Sequence, residues 1–374
     1  MKYLVIPHLP KYSTRGFEIS KNLGGAHFIV WSMPFPFTVN NLLDNLFNSL
    51  LTSKFKKDGV VVHKVARLPF FFPPINKWLF KIQIKKIFND NNIDTIISES
   101  YFNETEPPLE LPLVYDLVDD HEAFIDIYGS NIYKLGCKIL QVSKTIEKQI
   151  RKSKLVVTVS NILVSDLTKK GIVATKIPNG VSKKFLDYKK ENTSFKKNSL
   201  VYVSNFDSFS NLTVLIRAVN ILFKKYPDIT LKLVGDGVET DRAKKLVKSL
   251  NLSKVVEFCG WLESSSIPKI LSSSEICLIP FKKDKLTNSA FPIKVLEYLA
   301  CGNKIVSSDL DEVRNIKSPN IYIYKDSNDY SALSKSISCA IRNKFIKNIN
   351  RSIAKEYSWK KIGKTLKFTI EHVK

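Results

Sequence analysis

The sequence predicts an α/β protein of two Rossmann-like domains, each built on a parallel sheet. Three observations carry this expectation. From Leu200 to Ser308, short apolar runs rich in Val, Ile and Leu alternate with stretches of helical period, as in strand–helix–strand crossovers. A similar set of runs precedes it, at residues 3–8, 27–31, 93–100, 111–120 and 154–160. Finally, 374 residues suffice for two separate cores, and the polar stretch 187–199, DYKKENTSFKKNS, reads as a linker between the two sets.

In chain order, YLVIPH gives a first strand, KYSTRG a loop, Phe17–Leu23 a helix and HFIVW a second strand. Residues 34–57 read as an amphipathic helix ending in lysines, with Leu42, Leu43, Leu46, Leu50 and Leu51 at helical spacing. After the strand VVVHKVA comes RLPFFFPPINKWLFKIQIKKIF (67–88). There Phe70, Phe71, Phe72, Trp78 and Phe80 are threaded among Lys77, Lys81, Lys85 and Lys86. That pattern fits an interfacial membrane anchor or a core helix behind an aromatic loop, and periodicity alone does not separate the two. The strand LPLVYDLVDD ends in Asp119 and Asp120, with His121 next. Ligands sit beyond the carboxyl ends of strands in such sheets, so the trio is a candidate site; helix capping by either aspartate stands beside it. Neither this pair nor Asp309-Leu310-Asp311 is read as a metal site. Further on, Asn179-Gly180 supplies turn chemistry in TKIPNGVSKKF, and SWKKIGKTLKFTIEHVK closes the chain as a helix. The expected division is a first domain at 1–185, a linker at 186–199, a second domain at 200–355 and a closing helix at 356–374.

Composition narrows the class. With 44% apolar and 25% charged residues the chain reads as soluble and globular, and no run of eighteen apolar residues suggests a membrane span. The apolar start is too short for a signal peptide. Five scattered cysteines without C-x-x-C spacing predict reduced thiols in the cytoplasm and no zinc site. The net charge of +23 rests on lysine, since only eight arginines occur, at 15, 67, 151, 217, 242, 314, 342 and 351. Nucleic-acid readers rely on the forked guanidinium, so the charge suits an anionic membrane surface better than nucleic acid.

The stretch TNSAFPIKVLEYLACGNKIVSSD (287–309) concentrates the chemistry. Pro292 stands where a helix starts, Ile293, Leu296, Tyr298, Leu299 and Ala300 give an apolar face, and Gly302 ends it. A strand, Lys304–Ser308, follows. Glu297 lies in mid-helix among apolar neighbours, and such a carboxylate needs a partner, which paired hydroxyls would provide. The helix start just before it suits phosphate. An acid for ribose beside an anion-binding helix start describes a sugar-nucleotide pocket.

Here Lys294, Glu297, Tyr298, Ala300 and Gly302 match the donor-site helix of GT-B-fold glycosyltransferases, and the stretch resembles above all the retaining family 4, or group 1, class. The P-N-G-V turn and the order of elements from about Lys154 onward are similar to that family too. The resemblance implies GT-B architecture, two Rossmann-like domains with parallel sheets facing across a cleft. It implies transfer of a sugar from a UDP- or GDP-sugar to a hydroxyl of a lipid-linked glycan, with retention and without metal or other cofactor. It also implies that the closing helix crosses back to the first domain and that the enzyme works at the cytoplasmic face of the membrane. Carried over to this chain, Glu297 holds ribose. Lys294 and the backbone of Ser289, Ala290, Phe291 and Pro292 hold phosphates, with Ser289 near the sugar. Gly260 and Trp261 lie at the nucleobase, Gly16 lies in the first loop, and Asp119, Asp120 and His121 face the acceptor as the candidate catalytic residues, one of them acting as base if the reaction inverts.

Two departures stand out. The family's diphosphate-binding Arg and Lys are replaced by Ser204-Asn205 and Ser210-Asn211, and the first acid of its paired-Glu motif is Ser289. Charge-assisted phosphate contacts are each worth about 1.5–3 kcal/mol. Compensation is therefore expected from Lys294, Lys282, Lys283, Lys285 or Arg15. The other expectation is a catalytically silent GT-B subunit scaffolding a membrane glycan assembly.

Overall fold

The computed structural model describes residues 1–8, 14–31, 50–68, 73–139, 141–188, 195–346 and 348–373. The chain forms two compact units, Met1–Pro178 together with Trp359–Lys374, and Asn179–Ser358. Both are α/β with predominantly parallel sheets.

The first unit contains β1 (Tyr3–Ile6), α1 (Thr14–Leu23), β2 (Ala26–Trp31), β3 (Ser53–Lys57), β4 (Val60–Val65), α2 (Pro73–Asp90), β5 (Thr95–Ser98) and β6 (Leu113–Leu117). It continues through α3 (His121–Tyr128), α4 (Asn131–Ile139), α5 (Val142–Lys152), β7 (Leu155–Thr158), α6 (Asn161–Lys169) and β8 (Thr175–Lys176). The strand order is β3-β4-β2-β1-β5-β6-β7-β8, parallel except for the β3–β4 hairpin. β1 and β5 are neighbours although three strands separate them in sequence, so the winding reverses between them. Both central strands are fully buried, as parallel strands covered on two faces should be.

Residues 53–57 are a strand, where the sequence pattern suggested the end of a helix. The reason is the Asp58-Gly59 turn, with φ of 48° and 81°, the left-handed pair that a two-residue hairpin demands. Leu50 and Leu51 are exposed, and Leu42, Leu43 and Leu46 lie outside the described residues. Within α2, Phe80 and Ile84 are core residues, and Phe80 meets Trp31 edge-on at 6.2 Å. Lys77 and Lys81 pair with the buried Glu106 at 2.6 and 3.2 Å, and Lys85 reaches Glu110 at 2.5 Å. The aromatic–lysine pattern thus belongs partly to the core. Ile75, Trp78 and Ile82 stay exposed along one stripe, while Phe70, Phe71 and Phe72 lie outside the described residues.

The second unit holds α7 (Lys183–Leu186), β9 (Lys196–Val203), α8 (Leu212–Lys225), β10 (Thr230–Val234), α9 (Thr240–Ser249), β11 (Val256–Gly260), α10 (Ile267–Ser273) and β12 (Ser274–Ile279). After these come α11 (Lys285–Ser289), α12 (Ile293–Cys301), β13 (Lys304–Ser308), α13 (Asp311–Arg314), β14 (Ile321–Tyr324), α14 (Tyr330–Arg342) and α15 (Ile349–Glu356). Its sheet runs β11-β10-β9-β12-β13-β14, parallel throughout, and reverses between β9 and β12.

The boundaries differ from the expected 185/186 and 355/356. Val181 bridges to Ser358, and Phe185 is buried, so 179–185 belong with the second unit. Of the expected linker, Lys196–Ser199 form the start of β9, and residues 189–194 lie outside the described ones. The closing helix, α16 (Trp359–Glu371), rejoins the first unit. Its Trp359, Ile362, Leu366 and Ile370 share a core with Phe17 and Leu23 of α1. Contact is close enough that a Cβ on Gly363 would lie 2.6 Å from that of Asn22.

Candidate functional site

In the second unit, the reversal between β9 and β12 puts their carboxyl ends side by side, which is where ligands bind in such sheets. The loop after β9 carries Ser204, Asn205 and Ser210. Ser204 and Ser210 are buried and Asn205 is exposed. The turn after β10 approaches this loop closely. A Cβ on Gly235, whose φ is +131°, would sit 1.8 Å from the Ser204 carbonyl oxygen, so only glycine fits there. Asn211, at φ 56°, opens α8 and donates to the Ser327 carbonyl.

The segment after β12 is held from both ends. Asp284 and Thr287 form a reciprocal capping box on α11. Ser289 is fully buried and donates to the Leu286 carbonyl at 3.0 Å. Ala290 is half-buried, and the carbonyl of buried Phe291 accepts from Asn179 Nδ2 at 2.9 Å. Pro292 is the residue before α12, whose first amides are therefore not spent on a side-chain cap. Gly302, at φ 77°, ends the helix with its N–H on the Leu299 and Tyr298 carbonyls, as the pattern predicts. The Tyr298 hydroxyl accepts from Val203 N at 3.3 Å and reaches the Leu278 carbonyl at 3.4 Å, tying α12 to β9 and β12.

On α12, burial pushes the Glu297 carboxyl above its usual range, against the opposing charges of Lys294 and Lys184. Burial likewise draws the Lys294 ammonium down, against Glu297. Each half-buried group thus gains from a polar ligand that rehydrates it. Lys184 escaped the sequence reading. It lies on α7, its ammonium donates to Ser264 Oγ, and Ser264 belongs to the loop that follows Gly260 and Trp261. Its signal was the basic pair Lys183-Lys184, one residue beyond P-N-G-V. Gly260 has φ +64° and Trp261 is 66% exposed. Of the other cations considered, Lys283 faces Asp309 and Asp311 at 3.5 Å each, while Lys282 and Lys285 are exposed.

The first unit gathers a different set beyond β1, β5 and β6. Arg15, beside Gly16 in the first turn of α1, holds Asp116 with Nε at 2.9 Å and Nη2 at 3.0 Å. It also donates to the Ile177 and Pro178 carbonyls at 2.9 and 3.1 Å, so it serves as an internal clamp rather than a stand-in phosphate cation. His8 Nδ1 lies 3.0 Å from Glu99 Oε2, a pair the sequence reading missed because its members are 91 residues apart. Asp120 caps α3, accepting from Ala123 N at 2.9 Å, the capping role left open above. Burial raises the Asp119 carboxyl, which His8 and Arg15 oppose and Glu99 reinforces. Burial pushes the His121 imidazole down to about 3, with the charge of His8 adding, and the ring lies 3.9 Å from that of Tyr101.

Two sheets of this topology, with a polar site at each reversal point, have the GT-B glycosyltransferase fold. Residues 184–360, which carry Lys184, Lys294 and Glu297, match the family described as "Glycosyl transferases group 1". A Haemophilus influenzae protein named as an uncharacterized glycosyltransferase is 31% identical over 124 residues, covering 31% of this chain and 33% of the relative. The phosphatidyl-myo-inositol mannosyltransferase of Mycolicibacterium smegmatis is 26% identical over 172 residues, or 42% of each chain. The matched segments therefore span less than half of these relatives' own length. Among solved structures, Anabaena HepE in complex with UDP superposes with a TM-score of 0.72 at 16% identity, covering 99% of this chain and 100% of that one.

Proposed function

We propose that the protein is a glycosyltransferase that moves a sugar from a nucleotide-sugar to a hydroxyl, binding the donor on the second unit and the acceptor on the first. The observation that carries this reading is the grouping of Glu297, Lys294 and Lys184 at the start of α12, inside the segment that matches group 1. Glu297 would accept from the ribose hydroxyls. The α12 amides and the two lysines would take up the charge on the departing diphosphate, which is where such a site lowers the barrier. UDP-sugars head the list of donors, supported by the UDP complex of the HepE neighbour. The family resemblance supports retention. A lipid-linked acceptor is supported by the named activity of the mycobacterial relative. The exposed Ile75, Trp78 and Ile82 beside Lys85 and Lys86 fit peripheral attachment to an anionic, cytoplasmic membrane face. Among the described residues, no helix is long and apolar enough to cross a membrane.

Thermal shifts with UDP-, GDP- and ADP-sugars test the reading. The right donor at a hundred times its Kd adds about 2.7 kcal/mol of stability. Glu297→Gln should fold normally, lose that shift and lose turnover. Full donor affinity and turnover in this variant would remove Glu297 from the site. A second reading, a catalytically silent GT-B subunit, draws on the uncharged Ser204-Asn205 and Ser210-Asn211. It would be favoured by donor binding without transfer or hydrolysis.

A further inference from the structure

We propose that Asn179 is a positioning residue for the donor's phosphates: by holding the Phe291 carbonyl it fixes the direction in which the chain enters α12, and so where the first amides of that helix point. The inference rests on the donor site proposed above and stays within the second unit.

The segment before α12 is fixed on its upstream side by local bonds. Ala290 N donates to the Leu286 carbonyl at 3.1 Å, and Ser289 Oγ donates to the same carbonyl at 3.0 Å. The Asp284–Thr287 box closes α11, and Asn288 Oδ1 accepts from Asp311 N at 3.0 Å. The peptide that joins Phe291 to Pro292 is different. Proline brings no N–H, so the carbonyl is the one group through which a hydrogen bond can set that peptide plane. The pyrrolidine ring holds φ of Pro292 at −71°, so the plane of this peptide steers the entry into the helix. Asn179, 5% exposed, supplies the bond from Nδ2 at 2.9 Å, across 112 residues of sequence.

Asn179 is itself firmly held. Two residues on, Val181 is fully buried, its N–H donates to the Tyr357 carbonyl at 2.8 Å, and it forms a parallel bridge to Ser358. These short segments are the two chain ends of the second unit, and they make a clip against the donor loop. Tyr357 adds a second brace, its ring lying 5.8 Å from that of the buried Phe291. One chain end thus grips the carbonyl of Phe291 and the other its ring.

Such restraint has a use at an anion site. Amides stabilise a phosphate best when they are aimed in advance, since a hydrogen bond weakens steeply off its axis. With the family's Arg and Lys replaced by Ser204-Asn205 and Ser210-Asn211, the α12 amides carry more of the diphosphate's charge in this chain, and their aim matters more.

The test uses the full chain and calorimetry. UDP, GDP and ADP are compared, and the tightest binder is measured beside its own nucleoside, which keeps base and ribose but lacks the phosphates. Asn179→Ala should weaken the diphosphate about tenfold, the worth of one mis-aimed charge-assisted hydrogen bond, and leave the nucleoside unchanged. A residue that only stabilised the fold would lower the melting temperature and leave both Kd values alone. A folded Asn179→Ala with the wild-type preference for diphosphate over nucleoside would therefore overturn the proposal, as would an equal loss for both ligands. Were Asn179→Ala unfolded, Tyr357→Leu decides, because it removes the ring contact and keeps an apolar side chain. A reduced preference for diphosphate in that variant supports the clip, and an unchanged one overturns it. Wild-type protein that binds none of the three diphosphates would sink the donor site itself and this proposal with it.

Discussion

Arg15 and Asp116, 101 residues apart in sequence, meet in a two-pronged ion pair with both side chains almost completely buried. Removing one partner of such a pair strands the other charge, which costs about 3–5 kcal/mol, whereas replacing both by apolar residues is often close to neutral. Arg15→Met should therefore lower the melting temperature steeply, and Arg15→Met with Asp116→Leu should recover much of the loss. Equal losses in the single and double variants, measured by thermal denaturation, would show that the ion pair matters less than the volume of the Arg15 side chain.

The stacked pair His27 and His63 should make the first unit acid-sensitive. The rings share a hydrogen bond of 2.8 Å between β2 and β4. Burial, with the charges of His27 and Lys54, pushes His63 down to about 4, and burial lowers His27 as well. A folded-state pKa below the unfolded value of about 6.5 means full stability above that pH, with loss as the pH falls from 6.5 towards 4. Melting temperatures should decline across that window and flatten in the double variant His27→Phe, His63→Phe. An identical decline in that variant would assign the acid sensitivity elsewhere.

Asp119 and Asp120 are adjacent but should behave differently. Asp120→Ala removes the cap of α3 and should lose about 1 kcal/mol with activity per folded molecule retained. Asp119→Asn, beyond the carboxyl end of β6, should reduce turnover at nearly unchanged melting temperature. Matching effects of the two substitutions on turnover would merge their roles.

Trp78→Ser with Ile82→Ser should weaken co-sedimentation with anionic vesicles, since both side chains are exposed on α2. High salt should reduce wild-type binding without abolishing it, because salt screens lysines but leaves apolar insertion intact. Unchanged pelleting of the folded double variant would remove this stripe from the membrane contact.

Much of the fold was legible because its signals are local. Glycine at 302, proline at 292 and the alternation from Leu200 onward each dictate backbone geometry within a few residues. The β3 strand was hidden by the apolar run before it, although Asp58-Gly59 announced the hairpin. Within the candidate sites, Glu297 and Lys294 could be read because one helix turn joins them. Lys184 and His8 could not, since each acquires its meaning from a partner about a hundred residues away. The pairing of two α2 lysines was hidden for a related reason. Glu106, which neutralises two of them, comes from a loop beyond β5.

The return of α16 to the first unit has a consequence for how the molecule comes into being. The second unit is one uninterrupted segment, Asn179–Ser358, whereas the first is assembled from both ends of the chain. During synthesis the later unit can therefore close while the earlier one still waits for Trp359, Ile362, Leu366 and Ile370 to fill its core. A chain interrupted before Trp359 would carry a finished second unit attached to an open first one. Quality control would thus read the integrity of the N-terminal half from a helix that follows the whole second unit in the chain.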